Sequence, residues 1–171
     1  MRRILGTVAA MTRLSALATL TALAAPAYAS KAGADEKTLH DYVLTTAKME
    51  KLIDAGQRMH DAAKKDKAFA SPLPPDTKTI DESVKQVEKT PSMAPVLKGA
   101  GLSARDFIVG SRVFAVSAIW AAMRRETANA KPPPEVNPAN LTFLDKHPDL
   151  VERFGKIWAD QAQDDGDEDG K

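Results

Sequence analysis

The sequence predicts an all-α protein, a helical bundle of about four main helices in which proline interrupts the second and the last. Three observations predict it. Apolar residues recur at steps of three and four through most of the chain, no stretch alternates with the period of two that a half-buried strand requires, and prolines gather between the periodic stretches. No internal repeat of fixed period competes with this reading.

The chain divides into three parts: an export signal over residues 1–29, a helical domain over 30–163 and an acidic disordered tail over 164–171. Arg2, Arg3 and Arg13 make a basic start, and Leu14 to Ala25 is an apolar run of 12 residues. Pro26 then breaks the run before Ala27-Tyr28-Ala29, whose small first and third side chains suit a signal peptidase. A run of that length falls short of the roughly 20 residues that span a bilayer, so cleavage between Ala29 and Ser30 is expected rather than anchoring. Removing the first 29 of 171 residues leaves a chain of 142, the size of one domain, in the periplasm or outside the cell.

From Glu36 to about Lys67 the residues Leu39, Tyr42, Val43, Met49, Leu52, Ile53 and Met59 fall on one helical face without a proline. They predict a single amphipathic helix of roughly 45 Å at 1.5 Å per residue. Lys64, Lys65 and Lys67 suit its negative end. Pro72, Pro74 and Pro75 then turn the chain. Thr79 and Glu82 have the spacing of a capping box and open a second unit carrying Ile80, Val84 and Val87. Thr90-Pro91 interrupts it. A short helix begins at Ser92, carries Met93, Val96 and Leu97 inward, and ends at Gly99-Ala100-Gly101, where glycine can take the left-handed conformation.

Ser103 and Asp106 repeat the capping spacing and open the most apolar helix, about Ala104 to Asn129. Phe107, Ile108, Val109, Val113, Phe114, Val116, Ile119 and Trp120 surround it on nearly every side, which predicts a central place. Its apolar stretch between Arg112 and Arg124 is too short to cross a membrane. Pro132-Pro133-Pro134 forms a stiff connector. Asn137-Pro138 starts the last unit, with asparagine as cap and proline in the first turn; His147-Pro148 bends or restarts it, and Leu150, Val151, Phe154, Ile157 and Trp158 complete the core stripe.

Gly99 to Phe107 (Gly-Ala-Gly-Leu-Ser-Ala-Arg-Asp-Phe) and Asn137 to Phe143 (Asn-Pro-Ala-Asn-Leu-Thr-Phe) resemble segments of an uncharacterised family of exported small helical bacterial proteins. The resemblance implies a shared fold and brings no catalytic residues.

Composition narrows the function. Cysteine is absent, which excludes thiolate catalysis, Fe–S ligation, covalent haem attachment and a lipid anchor at the cleavage site. Three of the 24 basic residues lie in the leader, leaving 21 against 23 acids; five acids and Lys171 belong to the tail, so the body carries 20 bases and 18 acids. That balance offers no general attraction to nucleic acid or to an anionic membrane.

Chemistry is sparse. His40 and His60 stand roughly 200° apart on a straight helix and cannot share an ion, and His147 stands alone before Pro148. Ser92 and Ser103 read as helix caps, Ser111 and Ser117 as helix packing, and no hydroxyl lies in a nucleophile motif. Glu36, Asp41, Glu50, Asp54, Glu152 and Asp160 read as a solvated charged face. Asp165 to Gly170 matches the first half of a calcium loop but the chain stops before the acid at its end. Asn140-Leu141-Thr142 fits a glycosylation sequon, placed at a helix start.

These residues predict a non-enzymatic binding module for an envelope protein or a small apolar ligand, with no cofactor. Asn137, Pro138, Asn140 and Phe143, beside the proline-rich connector, form the candidate interaction segment. Two other classes use the same atoms: a haem or metal protein, with Met49 or Met59 facing His60 or His147, and a small envelope hydrolase. Colour and metal content of natively exported protein separate the first of these from a plain binding module.

Overall fold

A computed structural model describes residues 34–66, 69, 79–126 and 131–164. The leader, the Pro72 to Pro75 turn and all but the first residue of the acidic tail lie outside the described residues. Those described are all helical in their regular structure, in seven elements: α1 (Ala34–Asp41), α2 (Thr46–Lys65), α3 (Ile80–Glu88), α4 (Met93–Ala100), α5 (Ala104–Glu126), α6 (Pro138–Lys146) and α7 (Pro148–Asp164).

Boundary chemistry sets most of these ends. Thr79 and Glu82 form a reciprocal capping box, with Glu82 N–H donating to Thr79 Oγ1 at 3.2 Å and Thr79 N–H donating to Glu82 Oε2 at 2.9 Å. Asp106 N–H donates to Ser103 Oγ at 3.0 Å ahead of α5. Gly101 ends α4 at φ 65°, a left-handed conformation that glycine takes without the steric cost a Cβ brings. Ser92 differs from expectation: it stands in the right-handed helical region and its side chain makes no capping bond. The turn before α4 is closed instead by Met93 N–H donating to the Thr90 carbonyl.

Two helices act as hubs. α2 packs against α4, α5 and α7, while α5 packs against α1, α2, α3 and α6. Met49, Leu52 and Met59 of α2 are buried against a main core that includes Ile80, Val87, Met93, Phe107, Val113, Leu144 and Leu150. Phe114 of α5 and Phe154 of α7 meet ring to ring at 4.2 Å. A smaller cluster of Val116, Trp120, Val136 and Leu141 seats the proline-rich connector against α5 and α6.

Two expectations need correction. The stretch from Glu36 to Lys65 is two helices rather than one, broken over residues 42–45. The periodicity is real, but α6 contributes side chains that hold the backbone open at this point. Likewise α5 is not enclosed all round: Ile119 is 41% and Met123 48% exposed. The stretch Ala104–Arg124 is also longer than the apolar segment counted between Arg112 and Arg124, and is long and apolar enough to cross a membrane by length and composition. Half of it is buried within the fold, and Arg112 in its middle donates to Ser83 Oγ at 2.7 Å, as suits the core helix of a packed domain.

Candidate functional site

The Asn137 to Phe143 segment enters the structure as the start of α6. Asn137 is the cap, with its Oδ1 accepting from Ala139 N–H at 2.9 Å, and Pro138 occupies the first turn, where a missing N–H costs nothing. The other end of the Asn137 carboxamide reaches across the chain, Nδ2 donating to the His40 carbonyl at 2.7 Å. One turn later Asn140 is fully buried. Its Oδ1 accepts from Leu44 N–H at 2.8 Å and its Nδ2 donates to the Tyr42 carbonyl at 2.9 Å.

Asn140 thus uses its carboxamide as a peptide group would. It satisfies one donor and one acceptor of the chain between α1 and α2, where neither group has a partner within a helix. Lys48 completes the junction, donating from Nζ to the Val43 carbonyl at 2.7 Å while its ammonium lies 3.9 Å from the Tyr42 ring centroid. Thr45 caps α2 by accepting from Lys48 N–H at 3.3 Å. Burial pushes the Tyr42 phenol up to about 12, with nearby Asp106 acting in the same direction.

Of the four segment residues, Asn137 and Asn140 hold the fold from within, Pro138 is exposed, and Phe143 is half-buried with its ring 4.5 Å from that of His147. The sequon asparagine is inaccessible to a glycosyl donor in this fold, since Asn140 is enclosed and both of its polar atoms are engaged.

The other candidate atoms are dispersed. Met49 and Met59 are buried in the main core. His40 lies in the last turn of α1 with its ring 3.5 Å from the Asp41 carboxylate, and His60 is half-buried on α2. The two histidines therefore stand on different helices, not on the single straight one expected. Among the described residues no group of three histidines and carboxylates comes together as a metal site. Three of the acids assigned to a charged face are paired at the surface, Asp41 with Lys37, Asp54 with Arg58 at 2.9 Å and Glu152 with Lys156 at 2.7 Å, while the side chain of Asp160 lies outside the described residues.

Two surface features remain. The first is an open groove of about 530 Å³ between α2 and α7, with Glu50, Asp54 and Gln57 on one side, Arg153 and Lys156 on the other, and Ile53 and Ile157 as its apolar part. Arg153 spans it, donating from Nη1 to Glu50 Oε1 at 2.7 Å and from Nη2 to Glu50 Oε2 at 2.8 Å. This two-bonded contact holds the Glu50 carboxyl below its ordinary range and raises the guanidinium. The groove is a mixed-charge seam whose principal ions already neutralise one another.

The second feature is the open side of α5. Ile119 and Met123 are one turn apart, with Ala122 exposed beside them and Ala115 half-buried one turn before Ile119. The sequence places Ile119 with the core residues because nothing in an evenly apolar helix marks which side is the more exposed. No family model, no curated protein and no solved structure matches the chain.

Proposed function

We propose that this chain is an exported helical module that works by binding an envelope protein, with the open side of α5 as the contact surface. The observation that carries the reading is the exposure of Ile119 and Met123, large apolar side chains one turn apart on a helix otherwise devoted to the core. Adjacent exposed side chains of this kind are the usual anchors of a protein contact, and methionine adapts to an irregular partner surface. The leader-like composition of residues 1–29 supports export to the periplasm or beyond. The four-helix description belongs to the same proposal: α1 with α2, α3 with α4, α5, and α6 with α7 act as four rods, three of them jointed, at residues 42–45, at Pro91 and at Pro148.

A photo-crosslinking side chain placed at position 119 or 123 and activated in intact cells of the native host is expected to give one discrete adduct. The same group at exposed Glu88 on α3 is expected to give none. Ile119→Glu with Met123→Glu should abolish capture from a neighbouring position while moving stability by no more than about 0.5 kcal/mol, as for other surface substitutions. Absence of an adduct at both positions overturns the reading.

A further inference from the structure

The sequence encodes a helix through a place where the structure has none. From Ala34 to Ala55 there is neither proline nor glycine, and Leu39, Tyr42, Met49, Leu52 and Ile53 continue one stripe across the break. A continuous helix would bond the last carbonyls of α1 to the first amides of α2. In the observed fold, groups from outside that ladder take their places: Asn137 at the His40 carbonyl, Asn140 at the Tyr42 carbonyl and Leu44 amide, Lys48 Nζ at the Val43 carbonyl and Thr45 Oγ1 at the Lys48 amide. The bend is thus held from α6, through two side chains nearly one hundred residues away in sequence.

We infer that α1 is an exchangeable arm, and that the Asn137 and Asn140 contacts are the latch that keeps it on its own chain. When the latch opens, residues 34–65 join into one helix, and α1 is carried off α5. The exposed seat on α5, beside the α3 N-terminus where Asp35 docks, then fits one occupant already known to match it, the α1 of a second copy. Leu39 would be buried there as it is here, and Asp35 would again accept from an Ile80 N–H, a contact that is 3.0 Å within the single chain. Exchange of an identical element reuses every contact outside the hinge, so the hinge decides the balance. In the unaltered chain the latch and buried Leu44 favour the closed monomer. This inference does not depend on the α5 surface proposed above for a foreign partner.

The test alters only exposed hinge residues. Val43→Ala with Thr45→Ala raises helix propensity across the break and removes the α2 cap without touching the core. Adding Thr46→Pro should reverse the effect. Thr45 already has φ −136° and ψ 159°, the conformation favoured before proline, and Thr46 is the first residue of α2, where proline is accepted; inside a joined helix the same proline is forbidden. Light scattering across a concentration series is expected to show the double variant dimerising at least about tenfold more tightly than the unaltered chain. The triple variant is expected to return to monomer.

Hydrogen exchange distinguishes joined helices from simple association. In the swapped dimer the amides of residues 45–47 become slow, because they gain helical acceptors, whereas two closed copies in surface contact leave them fast. A double variant that stays monomeric, or a dimer whose hinge amides exchange as in the monomer, overturns the inference. Asn137→Ala, which leaves the hinge sequence intact and frees the His40 carbonyl, provides the same two readouts if the double variant folds poorly.

Discussion

At residue scale, Asn140 is the most consequential side chain in the fold. Its replacement by alanine removes two hydrogen bonds and strands the Leu44 amide and the Tyr42 carbonyl in or near the core. An unpaired buried polar group costs more than the net value of the bond it lost, so Asn140→Ala should destabilise by about 2–4 kcal/mol in urea unfolding. Asn137→Ala, which loses a cap and one partly exposed bond, should cost about 1–2 kcal/mol. Aspartate at 140 keeps the acceptor but loses the donor to Tyr42, and should not restore stability.

The Glu50 and Arg153 pair makes a contrasting prediction, because both groups are at the surface and compete with water. Its sign follows from linkage: Glu50 has a lowered folded value, so its contribution is present above its ordinary value of 4.5 and disappears as pH falls through the folded one. Arg153→Met should therefore be less stable than the unaltered chain at neutral pH, with the gap closing in acid. A gap that persists unchanged in strong acid would show that Arg153 acts through packing of its stem instead.

At the scale of elements, helix ends were readable where local side chains make them. The Thr79 and Glu82 capping box, the Asn137 cap, the left-handed Gly101 and the restart at Pro148 all follow from residues within one turn of the boundary. The break at residues 42–45 was not readable, because its cause lies on α6 and a periodic stripe contains no mark of it. The same limit applied to the Asn-Pro-Ala-Asn segment. Its first asparagine was recognisable as a cap, but its second function, gripping another helix end, depends on a contact between distant parts of the chain.

Close helix approach yields a further element-scale prediction. A Cβ at Gly110 would lie 3.0 Å from a Leu52 methyl and 3.1 Å from the Tyr42 hydroxyl, where α5 passes the α1 and α2 junction. Gly110→Ala should improve local helix propensity yet lower stability by about 1–3 kcal/mol, because neither neighbour can retreat without disturbing the core or the latch. The comparison with Gly155→Ala is informative: a Cβ there meets nothing within 4 Å, so that variant should be neutral or more stable in the same unfolding assay.

At the scale of the whole molecule, the seven helical segments among the described residues share one main core and a smaller cluster under the connector, and distinctive polar residues hold these segments in register. Composition had pointed to a module without a reaction, and the geometry gives that reading a surface to test. Neither the exposed pair on α5 nor the latch could be located from the sequence, since exposure and long-range contact are properties of the assembled fold.

Amide hydrogen exchange on the unaltered chain tests the central claim, that α6 imposes the joint between α1 and α2. Leu44 lies outside every helix, yet its N–H should exchange as slowly as the core amides of α2 and α5, while the adjoining amides of Thr45 and Thr46 exchange quickly. Rapid exchange at Leu44, or uniform protection from residue 42 through 47, would contradict the account, the first by removing the asparagine contact and the second by showing a continuous helix.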